Sequence, residues 1–294
     1  MTPGEQALAR ARTYGFVSEV LLVGWTDRAR AVASELAWLP ELPADPDQAA
    51  ARHHRVFGRG VPPYESVFCS PEGLLGGDEA DAVRRAYTQA GFHHGRTDIE
   101  PDHAGLQAAA LSWLCAAEAD AHRDGVPTGS LHHMAKNLAS QHLGRWVTPL
   151  RIAVDRQGVP ELTAVVQLLE DLVRDHAGEA PPPEASSPPE DVLADPKTGL
   201  KAVARYLLVP ARCGMWLGQA DLQRLAAEAG LACGFGRRVQ MLESLLFSAV
   251  DHEELATLCE VLRAELGHWD ADDPRVQATD TLLQRLAEAA PTAT

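Results

Sequence analysis

The sequence predicts an all-α protein, and three observations lead to this prediction. Apolar residues recur at spacings of three and four along most of the chain, as they do on one face of a helix. Alternating β-branched residues closed by Asn-Gly turns, the usual signs of strands, are almost absent. Proline and glycine stand where the predicted helices begin and end. We therefore expect a helical bundle with an additional, smaller helical unit at its C-terminal end.

The first part of the chain divides into helices separated by prolines. Residues 5–39 predict one broken helix or two consecutive helices, and the stretch LPELPADPDQ then interrupts them. A short helix near residues 46–57 leads to PPYESVFCSPEGLLGG, residues 62–77, which we call the elbow. Two prolines open the elbow and glycines close it, so we expect a rigid turn rather than a regular helix.

Four helices are predicted after the elbow. One covers residues 78–91 and begins on Asp78, which is a suitable N-cap. The next has Pro101 in its first turn, where the missing N–H costs nothing, and Gly125 closes it. A third begins at Ser130, and PELTAVVQLLEDLVRDH forms the fourth. Short connections between them predict antiparallel neighbours in a bundle.

The composition changes sharply at residues 177–197. This segment is rich in proline and has almost no apolar residues, so it predicts an extended linker or mobile loop. Four further helical patterns follow it, in GQADLQRLAAEAG, FGRRVQMLESLLFSAV, DHEELATLCEVLRAELG and DPRVQATDTLLQRLAEAA. We therefore expect a main domain over residues 1–176 and a C-terminal helical unit over residues 198–294.

Charge and cysteine content exclude several classes of function. The chain has 26 Lys and Arg residues and 41 Asp and Glu residues, so its net charge is −15, which argues against nucleic-acid binding. The sequence shows no secretory signal and no apolar run long enough to span a membrane. Five scattered cysteines, an odd number without a CxxC pair, favour a reducing compartment. These features predict a cytoplasmic protein without stable membrane insertion.

Three short motifs contain the residues best suited to binding. The elbow presents an aromatic and acidic set, and the sequence EPDH at residues 100–103 follows it. HLGRW then places His142 and Trp146 four residues apart, which predicts one shared helix face. Each motif alone has an ordinary structural interpretation, such as a helix-dipole carboxylate for Asp102 or a core position for Trp146. The candidate binding residues are Tyr64, Glu65, Phe68, Glu100, Asp102, His103, His142 and Trp146.

Taken together and in this order, the three motifs resemble the TorD/DmsD family of redox-enzyme maturation chaperones. The resemblance covers roughly residues 14–175, and the acidic-Pro-Asp-His signature of the family is complete at residues 100–103. The unit beyond residue 200 exceeds the usual length of the family. The run LQAAALSWL is richer in alanine than the family pattern, which affects the expected contact surface.

The resemblance implies a TorD-like helical bundle without catalytic activity or a bound cofactor of its own. The implied partners are a molybdenum-cofactor oxidoreductase subunit and its twin-arginine signal peptide, held until the cofactor is inserted. Two guanidinium groups followed by an apolar stretch call for carboxylates beside an aromatic groove. The implied binding set consists of three acids and three aromatic residues: Glu65, Glu100 and Asp102, with Tyr64, Phe68 and Trp146.

Two other classes of function remain open at this point. A helical adaptor would share the fold and the acidity without preferring an arginine pair. A metal-dependent enzyme would use histidines and carboxylates such as Asp102, His103, His132 and His142, but HExxH spacing is missing. Nucleotide motifs of the GxGxxG and GxxxxGK[ST] types are also missing, and GFGRR predicts a turn before a helix. The sequence does not decide between a monomer and a domain-swapped homodimer.

Overall fold

The structure is a computed structural model that describes residues 1–178, 191–194 and 199–289. Over these residues it contains fifteen α-helices and no strand, so the all-α prediction is confirmed. The chain forms two compact units, one of Met1–Ser70 with Leu74–Glu184 and one of Pro71–Gly73 with Ala185–Thr294. Most of the predicted linker, residues 177–197, lies outside the described residues. The linker and the domain boundaries stay predictions.

Up to residue 178, where its description ends, the first unit contains nine α-helices and two other helical turns. A π-helix follows the third α-helix at His54–Gly60, and a 3-10 turn lies at Leu143–Arg145. The α-helices are α1 Pro3–Val23, α2 Asp27–Ser34, α3 Pro46–His53, α4 Glu65–Cys69, α5 Gly77–Ala90, α6 Ala104–Asp124, α7 Gly129–Gln141, α8 Val147–Asp155 and α9 Pro160–Ala177.

The core of the first unit is built on the pair α1 and α6, each 21 residues long. The small side chains of Ala108 and Ala110 are buried on α6, which lets the two helices approach closely. A Cβ atom at Gly15 of α1 would lie 3.2 Å from Ser112 Oγ. The Ser112 hydroxyl donates a hydrogen bond to the Ala11 carbonyl across the same contact, at 2.7 Å. The alanine-rich run of α6 therefore serves close helix packing.

In the second unit, residues 191–194 and 199–289 are described, and they contain six α-helices. They are α10 Leu200–Leu207, α11 Pro210–Cys213, α12 Gln219–Glu228, α13 Arg238–Asp251, α14 Leu255–Leu266 and α15 Pro274–Ala289. The four helices predicted in this part correspond to α12–α15, and GFGRR is the predicted turn before α13. A buried hydrogen bond joins α10 to α15, from Tyr206 to Thr279 at 3.1 Å. Thr279 also donates to the Cys213 carbonyl, which fixes the end of α11.

Three local predictions near the elbow are wrong. The elbow contains one short α-helix, α4, rather than a turn alone. The N-cap of α5 is Gly76, whose φ of 87° suits glycine, and Asp78 lies in the first turn instead. Pro101 precedes α6 rather than lying in its first turn, because His103 is the N-cap of that helix. No helix in the described part of the chain is long and apolar enough to cross a membrane.

Candidate functional site

The elbow and the EPDH turn are joined through their backbones. Tyr64 and His103 form an isolated antiparallel β-bridge. The Glu65 N–H donates to the Asp102 carbonyl at 3.1 Å, and the Ala104 N–H donates to the Pro63 carbonyl at 2.8 Å. These bonds connect segments almost forty residues apart in the chain. The two motifs therefore form one site, and the start of α4 is fixed by the start of α6.

Asp102 lies at the centre of this junction and is fully buried. Its Oδ2 accepts a hydrogen bond from the Ser66 N–H at 2.8 Å, so a side chain from outside α4 caps the first turn of α4. The ordinary interpretation of Asp102 as a carboxylate at the start of the helix that follows it is therefore wrong, because α6 begins at Ala104 with His103 as its N-cap and the helix that Asp102 caps is α4. Its carboxylate complements the positive end of that helix.

His103 caps α6 in an uncharged form. Its Nδ1 accepts a hydrogen bond from the Gly105 N–H at 3.0 Å, so the proton of the neutral ring is on Nε2. Burial, together with the nearby charges of His53 and Arg96, lowers the pKa of His103 to about 3. The ring packs edge-on against Tyr64, with centroids 4.8 Å apart. His103 is therefore a neutral cap and a support for Tyr64.

Glu65 is the buried anion of the site, and three side chains surround it. Gln107 Nε2 lies 2.8 Å from Glu65 Oε2, and His142 Nδ1 lies 3.2 Å from both carboxylate oxygens. Arg145 donates to Glu65 at 3.0 Å and to Glu79 of α5 at 2.7 Å. Although burial works against its charge, hydrogen bonding to Glu79 raises the pKa of Arg145. The result is an ion-pair network that ties α4 to α5, α6 and the turn after α7.

His142 and Trp146 do not share a helix face, so that prediction is wrong. His142 ends α7 with a non-helical backbone, residues 143–145 form a 3-10 turn, and Trp146 is the N-cap of α8. Both side chains nevertheless reach α4. His142 contacts Glu65, while the fully buried Trp146 stacks on Phe68 with ring centroids 5.5 Å apart. The helix break turns both side chains toward the elbow.

The accessible part of the site is the surface around Tyr64. Tyr64 is half-buried and Glu100 is exposed, whereas most of the other candidates are buried. Burial and the negative charges of Asp102, Glu100 and Asp98 raise the pKa of Tyr64. Asp98 pairs with Arg96 at 2.7 Å, so the negative charge around Tyr64 is partly neutralised. We call Tyr64, Asp98 and Glu100 the acidic-aromatic surface.

A pair of exposed leucines lies next to α4 as well. Leu74 and Leu75 are exposed, and the Gly76 N–H after them donates to Ser66 Oγ at 3.0 Å. The leucines are thus attached to the same short helix that Tyr64 precedes. The site combines acidic, aromatic and apolar groups around α4, as a cationic and apolar peptide requires.

The structure brings all three sequence motifs together, and their role in peptide binding stays a prediction. It also adds residues that the sequence analysis did not select, namely Gln107, Arg145 and Asp98. Arg145 is the arginine of HLGRW, and Asp98 lies two residues before the EPDH turn. Their position in or next to a motif could have indicated that they belong to the site. Gln107 could not be selected from the sequence, because a single glutamine in an apolar helix does not predict a particular contact. Among the described residues, no group of three or more His, Cys, Asp or Glu side chains is arranged to hold a metal ion.

Comparison with known proteins gives one match. Residues 26–151 match the family model described as the nitrate reductase delta subunit. All eight candidate binding residues lie inside the matched range, whereas α9–α15 lie outside it. Neither the curated proteins nor the solved structures gave a match.

Proposed function

Since residues 26–151 place this chain in the TorD/NarJ family of molybdoenzyme-assembly chaperones, we propose that it binds the twin-arginine signal peptide and apoenzyme of its client. The sequence resemblance is confirmed by this match. The family consists of non-catalytic chaperones, and it implies a nitrate reductase-type molybdoenzyme subunit as the partner. Binding in the cytoplasm would hold the apoenzyme until its cofactor is inserted and would delay its export.

The acidic-aromatic surface is the observation that carries this proposal. Its two carboxylates, of Asp98 and Glu100, form ion pairs with Arg96 and Arg84. Arg84 also pairs with the exposed Asp81, so three exposed carboxylates share two guanidinium groups. The exposed pair of Arg96 and Asp98 contributes little stability, so an incoming arginine exchanges one weak pair for another at small cost. A peptide guanidinium also gains the face of Tyr64 through a cation–π contact. The surface therefore favours arginine over an uncharged residue.

The buried network has a different part in this proposal, because Glu65, Asp102 and Trp146 are fully buried. They hold α4 and the Tyr64 backbone in place through the bonds described above. A rigid scaffold loses little conformational entropy when a peptide binds, which favours affinity. Leu74 and Leu75 then offer apolar contact to the hydrophobic stretch that follows the arginine pair.

Calorimetric titration with a client twin-arginine peptide and a Lys-Lys version tests the proposal. The double variant Asp98→Asn with Glu100→Gln should weaken binding of the arginine peptide by about tenfold, since charge-assisted hydrogen bonds are lost. Glu41→Gln is the matched control, because Glu41 is an exposed carboxylate elsewhere in the same unit. Equal affinity of the wild type for both peptides would indicate a helical adaptor instead.

A further inference from the structure

A row of three arginines lies on α3 and on the π-helix that continues it. Arg52, Arg55 and Arg59 are three and four residues apart, so each follows the last by about one helical turn. The other side of the same helix faces the core, where Val56 and Phe57 are buried. Arg55 and Arg59 are exposed, and over the described residues neither has an ion-pair partner. We call Arg52, Arg55 and Arg59 the arginine row.

The arginine row borders a cavity of about 420 Å³. Arg52 and Arg55 line one wall together with Gln48, and the turn before α9 lines the other wall at Gly158 and Val159. The volume lies within the range of ligand sites in proteins. Two guanidinium groups enter the cavity, and guanidinium groups bind carboxylates and phosphates through paired hydrogen bonds. The ligand that this cavity fits is therefore an anion.

The bonds that hold the cavity walls leave both guanidinium groups accessible. Arg52 Nη1 lies 3.2 Å from Oε1 of the buried Glu161, yet the arginine side chain is 39% exposed. Arg55 Nη2 donates to the Gln157 carbonyl at 3.4 Å. α9 begins at Pro160 without a side-chain cap, so the positive end of its dipole adds to the potential in the cavity. Because Arg52 balances the charge of Glu161, the net positive charge of the row comes from Arg55 and Arg59.

We propose that the arginine row binds an acidic segment of a partner protein. The row is about 10 Å long over seven residues, and Arg59 lies beyond the residues that line the cavity. One small anion is too short to contact all three guanidinium groups. Carboxylates fit the row when they recur every three or four residues on a helix or every second residue on an extended chain. Each guanidinium then donates two hydrogen bonds to one carboxylate.

The charge of the whole chain favours a short acidic segment over larger anionic partners. At −15 the chain repels nucleic acid and anionic membranes, which present negative charge over a wide surface. A short segment is affected mainly by charges within about 10 Å, because salt screens the charges farther away. The arginine row is opposite in charge to the acidic-aromatic surface. The two surfaces therefore select different segments, one acidic and one cationic.

Fluorescence anisotropy of labelled hexaglutamate with the full chain, at about 20 mM salt, tests this proposal. Hexaglutamine is the uncharged control peptide. We expect hexaglutamate to bind with a dissociation constant on the order of 100 µM, and hexaglutamine to bind at least about tenfold more weakly. Added salt should weaken the binding of hexaglutamate, because the attraction is mainly between exposed charges.

Paired substitutions locate the binding on the arginine row. Arg55→Glu with Arg59→Glu should weaken the binding of hexaglutamate by at least about tenfold. Arg55→Lys with Arg59→Lys should weaken it by about twofold to threefold, because lysine keeps the charge without the paired hydrogen bonds. Arg12→Glu with Arg85→Glu is the charge-matched control, since both arginines are exposed elsewhere in the first unit and have no ion-pair partner among the described residues. All these side chains are exposed, so circular dichroism should show the same fold in each variant.

Four results would overturn the proposal. Hexaglutamate that does not bind, or that binds the Arg55→Glu, Arg59→Glu variant as tightly as the wild type, would show that the row holds no acidic segment. Inorganic phosphate that displaces hexaglutamate at an equal or lower concentration would assign the cavity to a small anion. Tighter binding of phosphatidylserine vesicles or single-stranded DNA, lost in the same variant, would assign the row to a membrane or a nucleic acid.

Discussion

The carboxylate of Asp102 caps a helix that begins 37 residues earlier in the chain, at Glu65. Asp102 Oδ2 accepts a hydrogen bond from the Ser66 N–H at 2.8 Å, and the Asp102 carbonyl accepts one from the Glu65 N–H at 3.1 Å. A helix of five residues is too short to be stable alone, so these long-range bonds decide whether α4 forms. Asp102 is thus a structural residue of the site whether or not it contacts a peptide.

Replacement of Asp102 by alanine should lower the free energy of unfolding by about 2–3 kcal/mol. The variant loses a charge-assisted hydrogen bond and the cap of α4, and it leaves the buried Ser66 N–H without a partner. Urea denaturation followed by circular dichroism measures the change. Asp102→Asn is the control. Its amide oxygen still accepts the hydrogen bond from the Ser66 N–H, so this variant should lose less free energy of unfolding than Asp102→Ala. A loss below about 0.5 kcal/mol in Asp102→Ala would show that α4 does not depend on this cap.

The ion pair of Glu65 and Arg145 should show strong coupling. Glu65 is fully buried and bonded to Arg145 at 3.0 Å. Arg145→Met leaves a buried carboxylate whose remaining partners in the described part of the chain are Gln107 and His142, so we expect a loss of about 3–5 kcal/mol. The double variant Glu65→Gln with Arg145→Met removes both charges and should be more stable than the sum of the single losses predicts.

A double-mutant cycle of Glu65→Gln and Arg145→Met, followed by urea denaturation, measures this coupling. Arg174→Met is the control for the arginine substitution. Arg174 pairs with Glu170 at 2.9 Å but is largely exposed, so Arg174→Met should cost less than about 1 kcal/mol. If the two arginine substitutions cost the same, the Glu65 network is not a buried ion-pair network in solution.

Phe68 and Trp146 should behave as core residues. Their rings stack with centroids 5.5 Å apart, and both side chains are almost completely buried. Phe68→Ala should therefore lower the free energy of unfolding by about 3–5 kcal/mol, and Phe68→Leu by less. Chemical denaturation checks the values. A Phe68→Ala variant that keeps wild-type stability but loses peptide affinity would instead support direct contact between Phe68 and the peptide.

The sequence predicted the long helices well because their periodicity is local. The patterns of α1, α6, α9 and α12–α15 each repeat over at least ten residues, and Gly125 ends α6 as expected. The short helix α4 was not predictable in this way. Two prolines precede it, and the bonds that fix it come from residues 102 and 145, which no local pattern reveals.

The burial of the candidate site was harder to predict than its location. The motif order brought the elbow, the EPDH turn and HLGRW together, and the structure agrees. HLGRW has helical spacing, yet the chain breaks at His142, because tertiary contacts of His142 and Trp146 with α4 override the local preference. Acidic residues are usually exposed, so their sequence gave no sign that Glu65 and Asp102 would be fully buried.

The stability of the first unit should fall as the pH drops below about 6.5, because two buried histidines resist protonation. Burial lowers the pKa of His103 to about 3. Burial, with the charges of Arg10 and His132, also lowers the pKa of His176 to about 4. Between these values and 6.5 the unfolded chain binds more protons than the folded chain, so stability rises with pH and is lost on acidification.

Between pH 7.5 and pH 5 each of these histidines should lower the free energy of unfolding by about 2 kcal/mol. The figure comes from about 1.5 pH units below 6.5 at about 1.4 kcal/mol per unit. Urea denaturation at both pH values measures the loss. His103→Asn keeps a capping oxygen for Gly105 without a titrating ring, so its loss between the two pH values should be smaller by about 2 kcal/mol. His176→Gln should show a similar reduction, whereas His268→Gln, on an exposed residue of the second unit, should behave like the wild type. The same pH dependence in all four proteins would contradict the assignment, because the lost protons would then belong to other groups.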